Sequence, residues 1–480
     1  MVTFIICLCL LIAAYFVYGR YLERVCGVSD SADVPSKTLY DGVDYLPMPL
    51  WKTFMIQLLN IAGVGPIFGA IMGACFGPVA FIWITLGGIF IGAMHDYISG
   101  IIITRNDGVS LPEVVGRYLG GGLRDFMRVM SLVLLILVGV VFMRSPASIL
   151  SEMAPTISYW WWVGIILVYY FIATMLPIDK LIGKIYPLFG AALLFMALGL
   201  AVVLFVGDYT VPELTLSSLR NFHPQAESMP IVPTLFISIA CGAISGFHAT
   251  QSPLMARCLN NEREGRVSFY GAMISESIIA LIWAAVAMAF FGGVENLSAA
   301  LAENGNNAAW AVNNISITTL GVVGGILAML GVVAAPITSG DTAFRSARLI
   351  VADVLKIEQR SIPKRLAISL PLFAIGTILL FVDFDIIWRY FAWFNQSMSV
   401  ITLWVIVVYL KEHNRNIWVA LPGAIFMTYI CTTFIFTSDQ FIGMGSTTLS
   451  YLLGGLSTLV ITAVMWWKVV VKRSKTLIAK

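Results

Sequence analysis

Asn60-Ile-Ala-Gly63-Val-Gly65-Pro66 and Gly242-Ala-Ile-Ser245-Gly246-Phe-His248 each interrupt an apolar run that is otherwise long enough to cross a bilayer. Glycine costs about 1 kcal/mol in a helix interior and proline about 3, so a helix opens at such places. Unwound backbone at membrane depth is tolerated only where it faces protein or a water-filled cavity. Paired interruptions at matching positions of two halves are the sequence pointer to a transporter's binding site. A packing role is the alternative, since Gly65, Gly69, Gly73 and Gly77 recur every four residues as small-xxx-small helix contacts do. The two readings are compatible.

Outward from these stretches, apolar runs of the length a membrane requires fall at approximately 2–18, 53–75, 79–103, 127–147, 157–176, 184–206, 231–252, 267–291, 315–337, 366–383, 386–409, 416–436 and 446–468. The interrupted runs are the second and the seventh, five crossings apart and opposite in direction. The expected fold is therefore an all-α polytopic membrane protein of about thirteen transmembrane helices. Its core is a five-plus-five inverted repeat, with one repeat over 53–206 and the other over 231–409. The helix at 1–18, two helices and a basic tail over 416–480 are peripheral, and 1–480 forms one membrane domain. The first run has no Lys or Arg ahead of it and no convincing cleavage site after it, so it reads as a retained helix. Segment 109–124 opens Ser110-Leu-Pro-Glu113, a capping-box start, and reads as an interfacial helix.

Composition agrees. The chain is 59% hydrophobic and 11% charged, against roughly a quarter charged in soluble domains. With the N-terminus outside and thirteen crossings, only Arg144, Arg220 and Arg389 of the 29 Lys and Arg fall outside, as the positive-inside rule asks. The C-terminus is then inside. Seven cysteines are scattered without a CxxC pair, which excludes neither free thiols nor packing but indicates no zinc knuckle or disulfide framework.

Ionisable residues inside a bilayer are functional candidates by default. Glu276 stands near the middle of the eighth run between Ser275 and Ser277 and suits a group that takes and releases protons; a neutral acid bonded to a neighbour is the alternative. His248 is placed to contact substrate or to relay a proton to Glu276, or else to bond a carbonyl. Asp96, after His95, is a coupling carboxylate or a member of an intramembrane gate. Asn395 and Gln396 line a cavity or bond between helices. Thr338 and Ser339, beside Pro336 at the end of the ninth run, offer hydroxyls to a sodium site completed by carbonyls opened in the second run, or bond their own backbone. Asp341 and Arg345, four apart, form a structural ion pair. The substrate itself would lie against Gly63, Gly65, Gly242, Ser245, Gly246, His248, Asn395 and Gln396, with a carboxylate on an exposed helix N-terminus. No metal is expected, and no cofactor beyond a coupling ion, H+ or Na+.

At these residues the chain resembles the carbon starvation protein A family. The resemblance rests on Asp41-Gly-Val-Asp44-Tyr45, Ala62-Gly63-Val-Gly65-Pro66, Asp107-Gly-Val-Ser110-Leu111 and Cys241-Gly242-Ala-Ile-Ser245-Gly246-Phe247-His248. Glu276, the Asp341/Arg345/Arg348 spacing and Asn395-Gln396 extend it. It implies a multi-pass inner-membrane transporter of the five-plus-five type, importing peptides or pyruvate when carbon is scarce. The best-known members are longer and carry extra helices. The alternatives are an amino-acid or other carboxylate symporter, a channel and a membrane-embedded enzyme. The polar residues form isolated clusters instead of a pore face, and neither a Walker motif nor HExxH is present. The expected partners are a small-molecule substrate and membrane lipid, with no nucleic acid; oligomeric state is open.

Overall fold

Helix appears wherever the sequence carries a long apolar run, because hydrocarbon leaves each backbone N–H and C=O only an intrahelical partner. The computed structural model describes residues 1–42, 44–175, 178–357 and 361–478. Residue 176, at the end of the fifth expected run, and residues 479–480 of the basic tail lie outside the described residues.

In chain order the helices are α1 (Val2–Cys26), α2 (Leu50–Ile61), α3 (Gly65–Ala74), α4 (Val79–Thr104), α5 (Leu111–Leu119), α6 (Gly121–Met153), α7 (Tyr159–Met175) and α8 (Ile178–Val206). There follow a short stub α9 (Ile231–Leu235 running into Phe236–Ser238), α10 (Gly246–Ala256), α11 (Arg266–Phe290), α12 (Val294–Glu303) and α13 (Ala308–Leu355). The chain closes with α14 (Ile362–Leu379), α15 (Phe384–Glu412), α16 (Leu421–Thr437) and α17 (Thr447–Ile478).

Helix lies at each of the thirteen expected places, yet among the described residues ten helices are long and apolar enough to cross a membrane, or eleven if the bent pair α2–α3 is one span. The difference has two local causes. The seventh run is divided into α9 and α10 by the unwound stretch 239–245, and the fifth run yields a short apolar helix, Tyr159–Thr174. Two finer expectations also change. Helix α13 extends well beyond the ninth run and is kinked at Gly321, whose φ is +59°. Ser110 stands at the N-cap of α5 without a side-chain cap bond, so Pro112 near the first turn marks the start alone.

Helices α2, α3, α4, α6, α10, α11, α13 and α15 pack on one another around the two interruptions. α16 and α17 pack together at the edge, on α15, and α17 turns Leu452, Leu456 and Leu459 outward. Wide π turns occur at Gly65–Gly69, Trp83–Gly92, Ile231–Leu235, Arg266–Gly271 and Ala328–Val333. Such turns are frequent at functional sites, and all five belong to the broken helices or to helices packed around the breaks.

Candidate transport site at the two helix breaks

The chain leaves helical geometry at Ala62, where ψ is +58°, and α3 departs from α2 at an angle of 57°. In the second break Ile239 has ψ +64° and Gly242 has φ +93°, a conformation glycine takes without strain. The breaks touch each other. A Cβ added at Gly65 would stand 2.4 Å from both Cβ and Sγ of Cys241, and one added at Gly242 would stand 3.8 Å from Cβ of Pro66. The glycines that the sequence offered as openings are thus also the places where the two unwound segments approach most closely.

Asn395 of α15 organises the second break. Its Oδ1 accepts from the Ser245 hydroxyl at 2.9 Å and from the Phe247 N–H at 2.7 Å. Its Nδ2 donates to Cys241 Sγ at 3.7 Å. Ser245 is at the N-cap of α10 but makes no cap bond of its own, so α10 is capped from a neighbouring helix. Gln396 Nε2 reaches the carbonyl of Phe236 at 3.3 Å, and Trp83 Nε1 reaches that of Ile239 at 3.1 Å. Both carbonyls lie next to the break, and their exposed lone pairs are satisfied in this way.

On the other side of the break the ionisable residues converge. Asp96 of α4 places Oδ2 2.7 Å from His248 Nδ1 and Oδ1 2.8 Å from His95 Nδ1. His248 Nε2 faces Glu276 Oε2 at 3.3 Å. All four side chains are fully buried. His95, Asp96, His248 and Glu276 therefore form one cluster, in which His248 and Glu276, linked already in the sequence reading, are neighbours and Asp96 is added through His248.

Thr338 and Ser339 lie elsewhere. Ser339 Oγ donates to the Leu59 carbonyl at 2.7 Å and contacts that of Ala335 at 3.0 Å, while Thr338 Oγ1 donates to Ala335 at 2.7 Å. Ser339 does meet α2, as expected, but through a hydrogen bond. Asp341 accepts from Tyr186 at 2.8 Å and Thr174 at 3.4 Å, and Arg345 donates to the Ala173 carbonyl at 2.7 Å. Each member of the expected pair is thereby tied to α7 or α8.

Two features escaped the sequence reading. Gln57 and Asn60, on α2 just before the first break, are fully buried and none of their amide atoms has a hydrogen-bond partner. An amide pair three apart in an apolar run was the available signal. Arg105, at the end of α4, grips Glu262 through Nε at 2.5 Å and Nη2 at 2.8 Å, while Nη1 reaches Tyr409 at 2.6 Å and the Cys26 carbonyl at 3.0 Å.

Cavities lie toward both ends. One of about 420 Å³ is lined by Phe68, Arg144, Ser145, Tyr159, Asn307 and Trp388, toward the end that the charge count assigns to the outside. One of about 270 Å³ is lined by Asp44, Thr250, Pro253, Arg257, Ser346 and Asp353, toward the opposite end. Phe68 follows the first break and Thr250 the second, so each cavity abuts one broken helix.

Comparison with known proteins places this architecture. The carbon starvation protein CstA family matches residues 1–155 and 127–324. An uncharacterized membrane protein of Haemophilus influenzae is 42% identical over 350 residues, 63% of this chain and 94% of that one. The peptide transporter CstA of Bacillus subtilis is 26% identical, over 57% of this chain and 56% of its own. The pyruvate/proton symporter BtsT of Escherichia coli is 26% identical, over 56% and 46%. The chain thus spans about half the length of these named transporters. In fold it is similar to MhsT, solved with L-phenylalanine, at a TM-score of 0.55 and 14% identity, covering 86% of this chain and 98% of that one. This is the LeuT-like transporter fold. The chain belongs to the carbon starvation protein CstA family and is a multi-pass transporter of the cell membrane.

Proposed function

We propose that this chain is a secondary active transporter that imports small carboxylates, pyruvate or short peptides, by alternating access around the two breaks. The observation that carries this reading is the amide pair Gln57 and Asn60. A buried amide without a partner costs about 1–3 kcal/mol, and two of them beside an opened helix are groups held ready for something polar. The N-terminus of α10 adds backbone N–H groups and the positive end of a helix dipole, which favour a carboxylate. Recurrent cavities on opposite sides of the breaks support access from each end in turn. Peptide and pyruvate come from the names of the relatives, and uptake under carbon limitation from the family.

The driving ion in this reading is the proton. The buried cluster of His95, Asp96, His248 and Glu276 at the second break supplies side chains able to take up and release a proton. A relative named as a pyruvate/proton symporter supports the same choice. The test is uptake of labelled pyruvate and of a labelled dipeptide into proteoliposomes under separately imposed H+ and Na+ gradients. Accumulation of one of them on the H+ gradient is expected. Accumulation driven by Na+ alone would replace the ion, and none on either gradient would remove the substrate class.

A further inference from the structure

Seven cysteines without a ligand spacing left no metal to expect, but folding brings one of them to the polar cluster. We propose that Cys241, His248 and Glu276 form a binding site for a zinc-type divalent ion, which fastens the second break to α11. One ligand atom from each, Sγ, a ring nitrogen and a carboxylate oxygen, lies within 4.8 Å of the others, and all three residues are fully buried. It is the one such group among the described residues.

Three independent details fit an ion. His248 Nε2 and Glu276 Oε2 are 3.3 Å apart. That is long for a charge-assisted hydrogen bond, but it is the spacing of two ligands on one tetrahedral zinc, about 3.3–3.6 Å for bonds of about 2.0–2.3 Å. His248 Nε2 and both Glu276 oxygens have no hydrogen-bond partner, the condition of ligand atoms turned toward a shared point. Finally, Asp96 Oδ2 holds His248 Nδ1 at 2.7 Å, and His95 holds the other Asp96 oxygen at 2.8 Å. This carboxylate–histidine arrangement turns the Nε2 lone pair to the metal and is the usual outer support of a zinc-bound histidine. Asn395 Nδ2, 3.7 Å from Cys241 Sγ, stands as a donor to the thiolate.

The donor set selects the ion. A thiolate with an imidazole and one carboxylate favours zinc over calcium or magnesium, which require oxygen cages. Three protein ligands leave the fourth position to water. Binding displaces the thiol proton to solvent, so the charge added is Zn2+ less the proton released. A turn of the Cys241 side chain by about 30° about its Cα–Cβ bond, without leaving its rotamer well, closes the widest separation by about 1 Å. Because Cys241 lies in the unwound segment, His248 on α10 and Glu276 on α11, an occupied site ties both sides of the joint together. Zinc therefore arrests transport; that consequence rests on the function proposed above, whereas binding does not.

Cobalt(II) is the probe, titrated into the purified full-length protein in detergent. A tetrahedral thiolate site produces an intense sulfur-to-cobalt charge-transfer band with strong ligand-field absorption, at one equivalent, displaced by zinc. Cys241→Ser should abolish the charge-transfer band, and Asp96→Asn should weaken cobalt affinity about 10–100-fold while keeping it. A weak octahedral spectrum in the parent protein, or a band that persists in Cys241→Ser, overturns the proposal; the parent titration needs no variant to fold. Uptake with and without micromolar zinc is the second arm. A bound ion with zinc-insensitive uptake overturns the arrest, while a bound ion with no uptake of any substrate counts against the transport reading and leaves the site standing.

Discussion

Asn395 caps a helix to which it does not belong: its amide oxygen lies 2.7 Å from the N–H of Phe247, at the start of α10. The sequence left Asn395 between lining a cavity and bonding between helices, and this contact accounts for its oxygen. Loss of an N-cap costs about 0.5–2 kcal/mol, and a buried N–H without a partner costs a similar amount.

Asn395→Ala should therefore lower stability by about 1–2 kcal/mol and reduce uptake, because α10 no longer ends in one place. Asn395→Asp keeps an acceptor and sets negative charge at a helix N-terminus, so it should retain most of the stability. Thermal melting in detergent compares them. Equal damage from both would show that the cap is not what Asn395 contributes.

Gly246 gives a sharper contrast. A Cβ there would stand 2.4 Å from the Asn395 carbonyl and 2.5 Å from the Ser399 nitrogen, both main-chain atoms. Gly246→Ala should cost at least about 1–3 kcal/mol, as overpacking does, and separate α10 from α15. Gly164→Ala, with open space around its Cβ, should be neutral or stabilising by up to about 1 kcal/mol. The pair is read by expression level and melting temperature; similar behaviour of the two variants would refute the close approach.

Ser339 tests the sodium alternative. Ser339→Ala removes the bond to the Leu59 carbonyl, worth about 1 kcal/mol, and should leave the ion dependence of uptake unchanged. A sodium-stimulated component present in the parent and lost in Ser339→Ala would restore Thr338 and Ser339 as ion ligands.

Arg105 and Glu262 join α4, the segment before α11, the end of α1 and α15 at one end of the molecule. Glu262 is only 2% exposed, so Arg105→Gln strands a buried carboxylate and should cost about 3–5 kcal/mol. Adding Glu262→Gln should recover part of that loss. Chemical or thermal unfolding of the single and double variants decides it, and additive losses would mean the two residues act separately.

What was legible in the sequence was local. The two breaks, their glycines and the apolar runs follow from residue-level propensities and from hydrocarbon thickness, and each lies where it was read. Helix count was less legible, because α9 and α10 are short pieces either side of an opening, and length alone does not identify them as one crossing. The polar cluster was legible only in parts. Asp96 and His248 are 152 positions apart, and nothing local relates them. Cys241 resembled any small apolar side chain until α10 and α11 were placed around it. The four-residue spacing of Asp341 and Arg345 was legible, but the bonds that tie them to other helices, through Tyr186, Thr174 and the Ala173 carbonyl, were not. Gln57 and Asn60, unlike the adjacent Asn395-Gln396, stand three apart, and nothing local shows that neither amide finds a partner once buried.

The contact between Gly65 and Cys241 has a kinetic consequence. With no space for even a methyl group between them, the two joints share a bearing surface, and turning either one displaces the support of the other. A carrier that cycles about such a surface crosses one concerted barrier. In the cycle proposed above, half-turned forms, open to both sides at once, are the ones through which a gradient would drain, and the shared surface works against them. The hydrogen that glycine carries in place of a side chain would, in that cycle, act as a safeguard against leakage.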